Sequence, residues 1–209
     1  MKLVSGKGSE KTGACWMSAI HWYTRGGKRS WSDQPDCVSP IIRDLCIALN
    51  DRLESDVERE RIIGPHIFDP VGTSTGNEDE GKRWALCVDR AVHLFTPFWL
   101  RKTKDARCIS IAESLEKLPA VTDQASAKAA LPLLDKARSS ASAYASASAS
   151  AYAYAYASAS AYASDREWLH AEVLKLILEC CAIGRQPEER IATKSRSECL
   201  EFLCSFDGK

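Results

Sequence analysis

No run of eighteen apolar residues occurs in this chain, so no segment reads as a membrane span. Its opening, "MKLVSGKGSEKTGAC", lacks the apolar stretch of a secretory signal. Neither sign of charge is in surplus, since 28 Lys and Arg balance 28 Asp and Glu. A balanced chain carries no global field to draw in nucleic acid or an anionic membrane. There are nine cysteines but no C-x-x-C, and the pair Cys199 and Cys204 has no second pair to complete a zinc site. No G-K-[ST] follows a glycine-rich turn, which excludes a P-loop. No succession of strand-like segments is present, so the expected class is all-α. Together these absences predict a cytoplasmic protein that binds neither nucleic acid nor membrane and holds no metal or cofactor.

What is present is a chain of 209 residues, 45% of them hydrophobic, long enough to bury a core. Basic residues cluster locally in "TRGGKR" and "RKTKDAR". Several cysteines fall at apolar helical positions, where a thiol packs as a small hydrophobe, and reduced structural thiols are expected.

Helical signals recur along the chain. "GACWMSAIHWY" fits a helix over 13–23 with Thr12 as N-cap and Gly26-Gly27 beyond its end. Ser39 and Pro40 mark the start of a second, whose stripe is Ile41, Leu45, Leu49 and Leu53. "ESDVERERII" continues it or forms a short helix before Gly64-Pro65. In "NEDEGKRWALCVDRAVHLF", acidic residues suit the first turn, and Trp84, Cys87, Val88, Ala91, Leu94 and Phe95 predict the apolar face. Pro97 is expected to kink or end that helix. "DARCISIAESLEKL" gives another, with Cys108, Ile109, Ala112 and Leu115 on one side. Ser164 to Glu167 reads as a capping box ahead of the stripe Trp168 or Leu169, Val173, Leu176, Ile177 and Cys180. "SRSECLEFLCSF" fits a short last helix.

Between these lies "SASAYASASASAYAYAYASASAYAS", with alanine at every odd position from 141 to 163. As a strand, all alanines would share one face. As a helix, half the residues are the best helix former, and Tyr144 and Tyr162 fall at the same angle. The tract has no charge, Gly or Pro, which argues against a flexible linker. The helix is the favoured reading, with small residues suited to oligomerisation.

The segments "GACWM", "WSDQPDCVSPII…LND", "RIIGPHIFDPVGT" and "RAVHLFTPFWL" resemble a family of uncharacterised phage and actinobacterial proteins with alanine-rich C-terminal helices. The resemblance covers roughly residues 13 to 120. It implies a phage origin and a helical tract, but no activity to transfer. This chain departs from the pattern in its pure Ala/Ser/Tyr tract.

Candidate chemistry falls in four places. Cys15 lies near a helix start, where the dipole favours a thiolate, and "GACW" is similar to papain-like and transglutaminase-like nucleophile motifs. His93 is the candidate base, with Asp33, Asp36 or Asp105 to orient it. Trp31, Asp33 and Asp51 could hold a cation or a ligand's hydroxyl or amine, although turn and cap chemistry explains them too. Gly72, Thr73, Ser74 and Thr75, with Arg83 one helical turn on, could cradle a phosphate. Trp16, Trp31 and the other aromatics could stack a base, or build a core.

The expected organisation is a flexible N-terminus at 1–12, a helical core at 13–120, a helical Ala/Ser/Tyr segment at 121–164, and C-terminal helices at 165–209 that pack on the core. The expected function is non-enzymatic binding of a nucleotide-like small molecule or a host protein, as in phage counter-defence inside a bacterial host cell. The alternatives are a structural protein that oligomerises through the alanine-rich helix, or a cysteine hydrolase using Cys15 and His93. A homo-oligomer is expected.

Overall fold

The computed structural model describes residues 2–6, 8–9, 11–25, 32–142 and 163–208. It is all-α apart from one small antiparallel ladder, and its chain divides into two compact units. The first unit joins residues 1–80 to residues 173–209, and the second is residues 81–172. These divisions differ from the boundaries expected near 120 and 165. They follow contacts between segments far apart in the chain, which local composition does not record.

In the first unit, β1 (Gly8–Ser9) pairs with β2 (Gly13–Ala14), Gly8 opposite Ala14. Leu3 forms a further bridge to Ala14 and is completely buried. Lys2 N–H donates to the Leu203 carbonyl at 3.0 Å. Residues 2–6 are therefore tied into the fold, and the expectation of a flexible 1–12 segment is corrected for them. The pairing crosses from one end of the chain to the other, so no local pattern announces it.

Helix α1 (Trp16–Arg25) starts three residues later than expected, because Gly13 and Ala14 belong to the ladder. Thr12 is not its cap; its hydroxyl pairs with Ser9 in the preceding turn. Helix α2 (Pro40–Arg52) starts as predicted, with the Ser39 hydroxyl accepting from Ile42 N–H and Pro40 at the first turn. It buries Ile42, Leu45, Cys46 and Leu49. Helix α3 (Asp56–Ile63) is capped by Ser55, which accepts from Glu58 N–H. Helix α4 (Asn77–Arg90) carries the three expected acids in its first turn.

In the second unit, α4 does not stop at Pro97. A π-helical turn at Ala91–Phe95 leads into α5 (Thr96–Lys102), and Thr96 N–H reaches back to the Ala91 carbonyl. A proline ring clashes with the carbonyl four residues earlier, here that of His93, and a widened turn relieves the clash. The expected apolar face of α4 needs correction. Arg83 is completely buried while Trp84 is 39% exposed, and Ala85, Val92 and Phe95 are the buried apolar positions. Helix α6 (Ala106–Glu116) is capped by Asp105, which accepts from Arg107 and Cys108 N–H. Helix α7 (Gln124–Ser142) packs on α6 around a core of Leu100, Cys108, Ala112, Leu115, Ala130 and Ala137.

Helix α8 (Ala163–Ala182) buries Leu169, Val173, Leu176, Ile177 and Cys180, the expected stripe. Ser164 falls inside it rather than at its cap. Its first turns belong to the second unit, where Trp168 stacks on Phe98 at 3.8 Å between ring centroids and Lys102 pairs with Asp165 at 2.5 Å. Residues 143–162, most of the alternating tract, lie outside the described residues, and so do the helix and strand readings made for them.

Helix α9 (Arg196–Cys204) closes the first unit, and its cap is the true capping box, formed by Ser195 and Glu198. Phe202 stacks on Trp22 of α1, with centroids 4.1 Å apart and rings nearly parallel. The segment leading to α9 is fastened by one carboxylate. Glu188 accepts from the Tyr23 hydroxyl and from Arg196 Nε at 2.9 Å, and Arg196 also lies over the Phe68 ring. The Arg196 hydrogen bond is the main cause that holds the Glu188 carboxyl below the usual glutamate range. Burial, with Glu188 beside it, pushes the Tyr23 phenol up.

A carboxyl with a depressed folded pKa adds stability above its unfolded value, about 4.3, and that stability is lost as pH falls through the folded value. Glu188→Gln is therefore expected to destabilise the chain by about 2 kcal/mol at neutral pH. The gap from wild type should close as pH falls toward 3 in urea unfolding. A pH-independent gap would show that the carboxylate charge is not what matters.

Candidate functional site

Several predicted residues meet around one small cavity in the first unit. Its volume is about 30 Å3, and Gly6, Cys15, Trp16, Asp33, Asn50 and Asp51 line it. Asn50, at the end of α2, organises the wall. Its amide oxygen accepts from Trp16 N–H at 3.3 Å, and its amide nitrogen donates to the Val4 carbonyl at 2.9 Å and to Asp51 Oδ1 at 3.0 Å. Gly6 N–H donates to the same Asp51 oxygen at 2.7 Å. One buried side chain thus joins the N-terminal segment, the start of α1 and the end of α2.

Cys15 stands just before α1. Its sulfur accepts from Ser18 N–H at 3.3 Å and lies 3.2 Å from the Ser18 hydroxyl, so the thiol does the work of a helix cap. Burial pushes this thiol up, the Ser18 contacts offset that only in part, and the nearby Asp33 adds to the rise. Position before a helix predicts an activated thiolate, and desolvation wins instead. Trp16 is completely buried, with its indole N–H donating to the Ile67 carbonyl at 3.0 Å. It is core, not a stacking platform. A cavity of this size admits about one water molecule, so it holds neither a base nor a phosphate.

His93 belongs to the second unit, within the π turn. Its Nδ1 lies 3.0 Å from Asp89 Oδ1 and its Nε2 lies 3.0 Å from the Leu118 carbonyl. Asp89 Oδ1 also accepts from Val121 N–H at 2.8 Å. The pair fastens the loop between α6 and α7, and both ring nitrogens are engaged in doing so.

The "VGTSTG" loop is a third, separate element. Thr73 is completely buried, its hydroxyl donating to the Pro70 carbonyl at 2.7 Å and accepting from Ser39 N–H at 3.0 Å. Ser74 N–H donates to the Cys37 carbonyl, and the Thr75 hydroxyl to the Thr73 carbonyl. Gly72 has φ +83°, and a side chain there would meet the Gln186 carbonyl oxygen at 2.5 Å. The space a phosphate would need beside Gly72 is filled by the chain itself. The glycines and hydroxyls serve the packing of the 184–187 turn and the cap of α2. Arg83 lies in the second unit, completely buried, and Trp31 lies outside the described residues.

Six of the nine cysteines are buried, including Cys46, whose thiol burial pushes well above the ordinary value, and Cys199, pushed up to about 12. Among the described residues, no group of three or more His, Cys, Asp or Glu side chains is placed to hold a metal ion, and no helix is long and apolar enough to cross a membrane.

A different feature escaped the residue-by-residue reading. A groove of about 700 Å3 runs along α6 and α7 in the second unit, and Arg107, Ser110, Ile111, Asp135, Lys136 and Ser139 are among its lining residues. The basic cluster "RKTKDAR" was its trace in the sequence. Arg101 and Lys102 of that cluster are paired with Glu116 and Asp165, whereas Arg107 faces the groove. No protein-family model matches this chain, and no curated protein or solved structure does either.

Two outcomes follow for the first unit. Asn50→Ala leaves the Trp16 N–H and the Val4 carbonyl without their partner and is expected to cost about 2 kcal/mol in chemical denaturation. A cost below about 0.5 kcal/mol would mean water replaces the amide without loss. In native protein, a chromogenic disulfide reagent is expected to titrate Cys204 fast and Cys15 only on unfolding. Rapid native modification of Cys15 would contradict the burial described above.

Proposed function

We propose that this chain is a non-catalytic binding protein that takes up a small ligand of nucleotide-like chemistry. The observation that carries this reading is the state of the two groups a hydrolase would need. Cys15 caps a helix with its thiol held protonated by burial, and both nitrogens of His93 are engaged in fastening a loop. The groove on the second unit supplies room of the right order, since small-molecule sites run from about 300 to 1,000 Å3. Sequestration in phage counter-defence is the setting that the family resemblance adds to this proposal. The assembly role of the alternating tract concerns residues outside the described part.

Native mass spectrometry of the freshly purified full chain is expected to show a small non-covalent adduct, released intact when the protein unfolds. Rapid stoichiometric alkylation of Cys15 by iodoacetamide at neutral pH, without an adduct, would overturn this reading in favour of the cysteine hydrolase.

A further inference from the structure

Resting on that reading, we infer that the groove along α6 and α7 binds a small phosphate ester whose organic part carries hydroxyls. The first argument is charge. Arg107, in the first turn of α6, and Lys136, on α7, bring cations from two helices to one groove. Two other basic side chains of this unit are paired away from the groove, Arg101 with Glu116 at 2.6 Å and Lys102 with Asp165 at 2.5 Å. Neither Arg107 nor Lys136 forms an ion pair among the described residues, although Asp135 lines the same groove. A guanidinium fork with an ammonium beside it suits phosphate oxygens, the fork by paired hydrogen bonds and the ammonium as a point charge.

The second argument is the neutral lining. Ser110 on α6 adds a hydroxyl that can donate to the same anion, whereas the Ser139 hydroxyl on α7 already donates to the Asp135 carbonyl at 2.8 Å. The first amides of α6 are already taken by the Asp105 carboxylate, at 2.8 and 3.1 Å. Recognition therefore falls to side chains rather than to the helix end.

The third argument selects among phosphates. Asp135 puts one carboxylate in the groove, which disfavours a bare polyanion and accepts from hydroxyl or amino groups. Ile111 gives an apolar contact next to it. A cationic end, an acceptor and an apolar surface along one groove match a sugar phosphate bearing a flat apolar group better than they match inorganic phosphate.

The probe is a fluorescent N-methylanthraniloyl ADP, with the matching adenosine as control, followed by anisotropy on the full chain at low and high salt. Wild type is expected to bind the diphosphate, more weakly at high salt, and to bind the nucleoside at least about tenfold more weakly. R107E/K136E is expected to lose about tenfold or more in affinity with an unchanged circular dichroism spectrum, and R107Q/K136Q to fall between. Equal binding by wild type and R107E/K136E would overturn the assignment to this groove while leaving a binding protein. Absence of diphosphate binding by wild type, alongside an adduct in native mass spectrometry, would overturn the phosphate class alone. If D135N bound inorganic phosphate and the probe equally well, as wild type did, the selection by Asp135 would be wrong.

Discussion

The first unit is built from two stretches that lie nearly a hundred residues apart, and its closure depends on Glu188. This carboxylate sits where the returning chain meets α1, and it is only 14% exposed. Buried and unpaired, it would be a liability of several kcal/mol. Tyr23, Arg196 and the more distant Arg185 answer it from three segments. Arg185 in turn donates to the Val71 and Phe68 carbonyls, and Thr193 N–H donates to the Tyr23 carbonyl. The position of the 66–72 segment, the entry to α9 and the stacking of Phe202 on Trp22 all follow from that one meeting point. A charged network of this kind specifies geometry more than it adds net stability, because Glu188 and Tyr23 are desolvated to form it.

Local rules made much of the helical content legible. Ser39-Pro40 marks the start of α2, and the stripe of Leu169, Val173, Leu176, Ile177 and Cys180 marks the face of α8, because caps and period 3.6 are properties of neighbouring residues. The phase of α4 was not legible. Pro97 reads as a kink or an end, and a π turn ahead of it joins α4 to α5; of the buried apolar positions Ala85, Val92 and Phe95, only Phe95 lies on the expected face. The same limit applies to Leu3. An isolated leucine in a polar N-terminus carries no periodicity, and only its pairing with Ala14 shows why it is buried.

Candidate residues fared according to how much of their role is local. Thr73 and Thr75, flagged for a ligand, instead hold their own loop, since the same donors and acceptors that hold a ligand also hold a backbone. Thr73 shows this plainly, with its hydroxyl used in both directions. For Cys15, two local effects oppose each other. The helix start favours the thiolate by a fraction of a pKa unit up to a few, and burial acts against it with comparable reach. Only the environment, with Asp33 beside the thiol and Ser18 its chief offset, decides the sign.

In the second unit, the groups that hold the helices together lie outside the groove. A groove whose walls come from consecutive helices keeps its width only if the turn between them is rigid. Here the turn after α6 is held twice, by Leu118 to His93 and by Val121 to Asp89. Both acceptor and donor partners sit on the stretch that runs into the π turn, which is itself set by Pro97. The proline that looks like an interruption therefore places His93 and Asp89 one turn apart on the side that meets the loop. Ion pairs elsewhere in the unit, Arg101 with Glu116 and Lys102 with Asp165, anchor α5 to its neighbours at the same time. The helices that flank the groove are thus braced by groups outside it, so Arg107, Lys136 and Asp135 are left without a structural duty. Preorganised walls with uncommitted polar side chains are the arrangement in which ligand contacts cost least conformational entropy.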